Sequence, residues 1–486
     1  MMRSQQDSQL MGPANKPAND RATRTWVLVL TSVAVLMAML DAMVVATALN
    51  AIRTDLHASV GALEWTMNAY SLSVAALLLS GAALGDRFGR RRMFVLGLGL
   101  FVAASAACAL SRNIEWLIVA RIVQGAGAAL LTPLAMALLS AAFPPEQRGK
   151  ALGLFSGITG LALIAGPLLG GAIAGSLAWQ WIFWLNIPIG LVLIPLAQRR
   201  IPESFGAPTA IDVAGVVLVT GAAVGLVWGL MRGNEAGWSS VEVLAALAAG
   251  LAFAAGFIAW ELRSAQPMVP MRLFRSRAFS SGIAASFLLY AAMYGVLFFL
   301  PQFFQSAQGN GPLGAGLRLL PWTATLFAIA PVAGNLVDRI GERPLMVAGL
   351  VLQALGFAWI ALIASPDLPY LFLVLPLIVA GAGISMAGPA AQKAVLGAVS
   401  NAELGKASGV FNMFRLLGGA SGIAIAVAVF AGTGGLGSAQ TFSAGFVAAI
   451  AVCAVLSLLA AAAGLWQPAR RASVPEPAEN ERRLGW

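Results

Sequence analysis

Ionisable side chains are scarce in this sequence. Only 10% of its 486 residues are charged, whereas 59% are hydrophobic and the mean hydropathy is +0.83. A soluble domain of this length cannot bury so much apolar surface. The composition therefore predicts an all-α polytopic membrane protein surrounded by a lipid bilayer.

Histidine, cysteine and phosphate-binding loops are also scarce or missing. His57 is the only histidine, which argues against haem, copper and di-iron centres, because these usually take imidazole ligands. Cys108 and Cys453 lie in apolar runs and are expected to be free thiols. The sequence contains no GxxxxGK[ST] motif, metal-ligand cluster or nucleophile–base pair. We therefore expect no enzyme activity, no metal, no cofactor and no use of ATP by the chain itself.

Long apolar runs dominate what is present. Fourteen of them are candidates for helices that cross the ~30 Å hydrocarbon layer. Their approximate limits are 26–49, 63–84, 93–110, 114–139, 150–175, 181–197, 211–230, 241–260, 279–300, 314–337, 344–364, 370–391, 408–431 and 441–465.

The positions of lysine and arginine test this count. With a cytoplasmic N-terminus, 24 of the 30 basic residues fall on the inside and two lie within spans. The four on the outside are Arg53, Arg112, Arg232 and Arg318. This bias is what the positive-inside rule predicts, so the net charge of +10 gives no reason to expect nucleic-acid binding. We expect a multi-pass protein of a bacterial cytoplasmic membrane with both termini in the cytoplasm.

Two segments of the chain recur at nearly constant spacing. The stretch that begins at Gly125 matches the stretch that begins at Gly381, and LGDRFGRRR from Leu84 matches LVDRIGERP from Leu336. Parallel repeats of this kind indicate two similar bundles with a pathway between them. The domains predicted are a tail at 1–25, a six-helix bundle at 26–200, two inserted helices at 201–265, a second six-helix bundle at 266–467 and a tail at 468–486.

Five motifs lie in the order expected for one transporter family. They are LDAMVVATAL from Leu40, LGDRFGRRR from Leu84, RIVQGAGAA from Arg121, GPLLGG from Gly166 and WQWIFWLNIPIG from Trp179. Together they resemble the major facilitator superfamily, in particular its fourteen-span drug:proton antiporter branch. The resemblance implies a major-facilitator-like fold of two six-helix bundles plus two inserted helices. It also implies export of drugs, dyes, antiseptics or a hydrophobic metabolite in exchange for protons.

One acid interrupts the first apolar run. Asp41 lies about 12 Å from the outer end of its helix, and Arg121 lies about 10 Å from the same face on the fourth span. An acid at this depth costs on the order of 3 kcal/mol, and an opposite charge offsets that desolvation. We therefore predict that Asp41 pairs with Arg121 and carries the coupling proton, a role that the resemblance also implies. A static ion pair that only locks the two helices is the alternative.

The resemblance also assigns residues to gating and to the direction of transport. In the family, the aspartate that matches Asp86 holds the bundles together in the outward-facing state. The residues expected at the gate are Asp86, Arg87, Gly89, Arg90, Asp338 and Arg339. The antiporter motif, which is associated with sealing and export, comprises Gly166, Pro167, Gly170 and Gly171. Helix packing through small residues is the simpler explanation of that motif.

Substrate contacts are expected along the central pathway. The ninth run places aromatic residues at i, i+3 and i+4 spacings on one helical stripe, and aromatic faces suit lipophilic cations. By the repeat, this helix should border the cavity, although packing explains the Phe residues equally well. The candidate substrate-binding residues are Asn68, Gln124, Tyr290, Tyr294, Phe298 and Arg415. For Arg415, contact with lipid headgroups or the other bundle is the alternative.

The acids outside the first run bear on the choice of substrate. Some fourteen-span exporters carry an acid where this chain has Asn68, and the sequence places Glu64, Glu261 and Asp338 at span boundaries. Asp41 is then the one acid expected deep in the membrane. This favours monocationic, neutral or zwitterionic lipophilic substrates. A major-facilitator transporter of another solute, with uptake as its direction, is the alternative function. The partners expected are the bilayer, the substrate and protons; we expect a monomer, and binding to a periplasmic adaptor stays open.

Overall fold

Helices account for every regular element in the part of the chain that the structure describes. The computed structural model describes residues 21–206, 212–265, 267–399 and 403–468. Most of the two predicted tails, residues 1–20 and 469–486, lies outside these ranges. The fold class is therefore confirmed as all-α.

The first half of the chain and the insertion form ten helices. Their bounds are α1 Arg21–Leu56, α2 Val60–Phe88, α3 Arg90–Ala109, α4 Ile114–Ala142, α5 Pro145–Gly160, α6 Ala162–Ser176, α7 Trp181–Trp184, α8 Asn186–Arg200, α9 Val213–Ala236 and α10 Val241–Arg263. The fifth predicted span is divided into α5 and α6, and the sixth into α7 and α8. The two inserted helices are α9 and α10.

The second half contains seven α-helices. Their bounds are α11 Arg277–Gln302, α12 Pro312–Arg318, α13 Leu320–Ile340, α14 Glu342–Ile363, α15 Leu371–Leu396, α16 Leu404–Thr433 and α17 Ala439–Leu465. A 3₁₀ turn at Met271–Arg275 precedes α11, and a π-helical turn at Phe303–Ala307 follows it. Several helices, such as α1 and α16, extend beyond the predicted apolar runs because a run marks only the apolar part of a helix, whereas polar end turns continue it.

The number of membrane spans agrees closely with the sequence analysis. Thirteen helical segments among the described residues are long and apolar enough to cross a membrane. The tenth predicted span, 314–337, corresponds to α12 and α13 in the structure, and neither helix is among these thirteen segments. The prediction of fourteen spans is thus correct as an approximate count.

The repeat in the sequence corresponds to a repeated packing contact. A Cβ atom built on Gly125 of α4 would lie 2.6 Å from the Tyr70 carbonyl oxygen of α2. One built on Gly381 of α15 would lie 2.7 Å from the Trp322 carbonyl oxygen of α13. In each half, a glycine therefore allows close approach of the helices at the same place, which explains why these glycines recur.

The inserted pair covers a seam between the two bundles. Helix α9 contacts both α2 and α16, whereas α10 contacts α9. Val227 of α9 forms one buried cluster with Leu72 of α2 and Ala420 of α16. The inserted helices are therefore positioned by contacts with both halves of the protein.

The two ends of the described chain lie at one face of the bundle. Near the start of α1, Arg24 donates a hydrogen bond to Gln147, and beyond α17, Gln467 accepts one from Ser281. We call this the terminal face. At the opposite face, the bundles are joined by a hydrogen bond from Gln305 to the Thr47 carbonyl oxygen (3.1 Å).

The GPLLGG motif contributes to this contact at the opposite face. A Cβ on Gly171 of α6 would lie 2.5 Å from the Pro312 carbonyl oxygen and 3.0 Å from the Leu313 Cα of α12. One on Gly316 of α12 would collide with the Pro167 carbonyl oxygen. Gly166 and Gly170 instead approach Met43 and Thr47 of α1. The motif thus packs α6 against its own bundle on one side and against the second bundle on the other.

Replacement of Gly171 with alanine is expected to weaken this contact. The added methyl group meets backbone atoms that cannot rotate away, and such overpacking costs about 1–3 kcal/mol. Gly175→Ala is the matched control, because its Cβ would lie 3.6 Å from the nearest atom, at ordinary van der Waals distance. The unfolding midpoint in detergent should fall for Gly171→Ala only. Equal midpoints for the two variants would contradict this packing.

Candidate functional site

The buried acid of α1 is held by polar groups from two other helices. Asp41 is 3% exposed. Arg121 of α4 donates to its Oδ2, while Gln124 of α4 and Asn186 of α8 donate to its Oδ1 at 2.9 and 2.8 Å. The pairing expected from matching depth is thus present in the structure. Three donors on one carboxylate compensate for much of its desolvation.

The guanidinium of Arg121 is held by further contacts of its own. Its Nε donates to the Thr66 carbonyl oxygen at 3.1 Å, and its Nη1 donates to Gln124 Oε1 at 2.7 Å. The ring of Tyr70 lies 4.3 Å from the guanidinium carbon, within the range of a cation–π contact. Arg121 therefore keeps several partners when its bond to Asp41 is removed.

Two members of this network were missed from the sequence. Asn186 donates to Asp41, and Ser105 of α3 accepts from both Gln124 (2.9 Å) and Asn186 (3.3 Å). Both side chains are buried. Asn186 lies in the middle of the motif WQWIFWLNIPIG, among apolar residues. A polar side chain inside an apolar span is usually functional, and this was the signal that could have identified it. Gln124 donates directly to Asp41, and its role in substrate binding stays a prediction.

A second acid, Glu64, lies near the end of its span as expected, but it is buried inside the protein. Its side chain is 0% exposed, and its Oε1 accepts from Asn68 Nδ2 at 3.0 Å. Asn68 also donates to the Ala420 carbonyl oxygen of α16 at 3.4 Å. Glu64 is only four residues from the start of α2, and its partner Asn68 contacts α16. The position of Glu64 near the helix end therefore did not predict that its side chain is buried.

The first basic turn has a compact internal structure. Asp86 accepts from Arg90 Nε at 2.8 Å, and the backbone NH of Arg90 donates to the Ser204 carbonyl oxygen. Gly89 has φ +104°, a value that disfavours other residues. The cation of Arg87 lies over the Phe88 ring at 5.3 Å. In this conformation the partner of Asp86 is therefore within its own bundle.

The second basic turn ends α13. Arg339 is exposed, and the side chain of Asp338 lies outside the described part of the structure. Their predicted gating role, like that of the first turn, stays a prediction.

A cavity of about 770 Å³ lies between the bundles in the half of the protein near the terminal face. It is bordered by α2 and α4 of the first bundle, α16 of the second, and the ends of the inserted pair. Its charged lining residues are Asp86, Arg90, Asp212 and Lys406, and most of the rest are apolar. Its size suits a drug-sized molecule.

The expected aromatic stripe does not form the wall of this cavity. Phe298 is fully buried and packs edge-on against Phe299, and Tyr294 lies against Gly419. Tyr290 faces Arg415, whose guanidinium carbon lies 5.4 Å from the ring. None of the six predicted substrate-binding residues is among the residues that line the cavity. These six residues lie elsewhere in the protein, and their role in substrate binding stays a prediction.

Removal of Arg121 alone should destabilise the protein more than removal of both charges. Arg121→Gln leaves the Asp41 carboxylate buried without its cation, a change that costs about 3–5 kcal/mol. In Asp41→Asn/Arg121→Gln the uncompensated charge is gone, so part of that loss should be recovered. Unfolding midpoints in detergent measure both variants. A double variant whose loss equals the sum of the two single losses would contradict an energetic coupling.

Comparisons with known proteins agree with this architecture. The sequence profile of the Major Facilitator Superfamily matches residues 31–423 and 282–484. The chain is 37% identical over 349 residues to the tetracenomycin C resistance and export protein of Streptomyces glaucescens, covering 71% of this chain and 64% of that protein's length. It is 33% identical over 461 residues to the cephamycin export protein CmcT of Amycolatopsis lactamdurans, covering 93% and 94%.

Solved structures show the same fold. A POT family transporter, crystallised with a thioalcohol-conjugated peptide, has a TM-score of 0.68 at 17% identity, covering 89% of this chain and 94% of that one. The resemblance noted from the five motifs is confirmed. The chain belongs to the major facilitator superfamily and is a multi-pass membrane transporter rather than an enzyme.

Proposed function

We propose that the protein exports lipophilic small molecules from the cell in exchange for protons, by alternating access. The observation that carries the proposal is the Asp41 network: a carboxylate buried among α1, α4 and α8 and bound to a buried arginine. A charge at this depth is costly and usually functional. The names of the two exporters to which the chain is similar support efflux as the direction.

Protonation of Asp41 is the coupling step in this proposal. A protonated Asp41 loses most of its attraction for Arg121, and one of its oxygens becomes a donor. Arg121 can then bind more strongly to Gln124 and to the Thr66 carbonyl oxygen, which it already contacts. Because Thr66 lies on α2 and Asp41 on α1, this exchange changes the interactions between helices of the first bundle.

The cavity supplies the substrate site of the proposal. Its walls are mainly apolar, and Asp86 is paired there with Arg90. A lipophilic molecule with one positive charge, no charge or a balanced pair of charges fits such a lining. The structure holds the bundles together at the opposite face and leaves the cavity near the terminal face. This arrangement is the one expected when substrate enters from the terminal side.

Orientation and assembly form part of the same proposal. We place the terminal face in the cytoplasm, since the basic turns lie there, and the protein in a bacterial cytoplasmic membrane as a monomer. Proton motion down its gradient then drives export. Uptake of another solute is the competing function, and transport in membrane vesicles of known orientation separates the two. An adaptor in the periplasm is not required by this scheme.

Asp41→Asn should abolish proton-driven transport. The variant keeps the size of the side chain and cannot exchange a proton, so accumulation of a lipophilic cationic dye in inside-out vesicles should fall to background. Glu115→Gln is the matched control, because Glu115 is an exposed acid in the first turn of α4. It should transport at the wild-type rate.

Exchange of labelled for unlabelled dye without a proton gradient separates coupling from folding. Asp41→Asn should retain exchange if the substrate site is intact. Full gradient-driven accumulation by Asp41→Asn would refute coupling through this carboxyl. Accumulation in right-side-out vesicles alone would favour uptake.

A further inference from the structure

Two carboxyl groups meet at the base of the inserted helix pair. Asp212 caps α9, and its Oδ1 accepts from the Gly215 backbone NH (2.7 Å) and from Trp260 Nε1 (2.8 Å). Glu261 lies in the last turn of α10, is 2% exposed, and accepts at Oε2 from the Val269 backbone NH (3.0 Å). One oxygen of each carboxyl is thus held by ordinary hydrogen bonds.

The other two oxygens are directed at each other. Asp212 Oδ2 and Glu261 Oε1 are both buried, and neither accepts a hydrogen bond from the described residues. They converge over Gly215, where a Cβ would lie 2.7 Å from the first oxygen and 3.0 Å from the second. The missing side chain of Gly215 leaves the space in which they meet.

The positive charge around this pair is insufficient for two carboxylates. Lys406 of α16 lines the same cavity as Asp212, and its Nζ donates to the Pro267 carbonyl oxygen at 3.2 Å. The turn Met271–Arg275 also packs on α10, but its Arg272 pairs with Glu403 at 2.7 Å. Two ionised carboxylates at this separation repel each other strongly, and one lysine balances only one of them.

We propose that Asp212 and Glu261 bind one proton between them and form a proton site separate from the Asp41 network. The shared O–H of one carboxyl donates to the free oxygen of the other, which satisfies both buried atoms at once. Asp212 and Lys406 line the cavity, so the proton exchanges with the water of the terminal face. Its loss leaves two facing charges and separates the start of α9 from the end of α10.

Infrared difference spectra of the full chain in lipid nanodiscs test the site directly. A pH titration of the wild type should contain a carbonyl band of a protonated carboxyl that disappears as the pH rises. Glu261→Gln and Asp212→Asn should each lack that band, whereas Glu115→Gln should retain it. The same band in both Glu261→Gln and Asp212→Asn would overturn the proposal. The readout is protonation, so the result does not depend on the proposed transport function.

Stability against pH gives a second, independent measurement. The folded pair holds its proton more tightly than the unfolded chain does, so it stabilises the protein at low pH and this contribution is lost as the pH rises. The wild-type unfolding temperature should therefore fall across the pH range in which the band disappears. In Glu261→Gln the amide donates permanently to Asp212, and this fall should be lost. An unchanged fall in Glu261→Gln would contradict a shared proton.

Gly215→Ala examines the same geometry without removing either acid. The added methyl group enters the gap between the two oxygens and should shift or remove the band. Gly256→Ala on α10 is the control, because its Cβ would meet only the flexible end of Leu218, at 3.3 Å. A band that is identical in Gly215→Ala and in the wild type would show that the protonated group lies elsewhere.

Discussion

Compensation of charge inside the membrane is the constraint that organises the first bundle. The buried Asp41 carboxylate accepts from donors that α4 and α8 supply, and the buried Arg121 lies against that carboxylate and the Tyr70 ring. Each partner makes the other tolerable, so the helices that carry them must pack in one register. Because the two charges depend on each other, protonation of Asp41 would also change the contacts of Arg121. In the proposed mechanism, a proton on Asp41 removes one charge of the pair and leaves Arg121 to its other partners.

Close packing of backbone is the second constraint, and it determines where the halves of the protein touch. Glycines in α6 and α12 bring backbones into direct contact at the opposite face, while apolar side chains border a cavity near the terminal face. Contacts without long side chains can form and separate with little rearrangement, which suits two bundles that move relative to each other. The inserted pair contacts both α2 and α16, so its packing also depends on how the bundles are arranged.

Much of this architecture could be predicted from the sequence because the membrane imposes simple rules. The lengths of the apolar runs predicted the membrane spans, and the matching depths of Asp41 and Arg121 along their helices predicted the contact between them. The sequence did not show how each helix is rotated about its axis or which helices lie next to it. The complete burial of Glu64 could therefore not be seen from its position near the start of α2. The sequence also could not decide whether Phe298 packs between helices or faces a cavity. Asn186 contacts Asp41 from 145 residues away, a distance in sequence that no motif spans.

The central proposal is that substrate binding in the cavity is coupled to the protonation of Asp41. The most direct measurement is proton release when a lipophilic cationic substrate is added to the purified protein in weakly buffered detergent solution. We predict that the wild type releases protons on binding, and that Asp41→Asn binds the same substrate and releases none. Equal release by the two proteins would contradict the account, because the displaced proton would then come from another group.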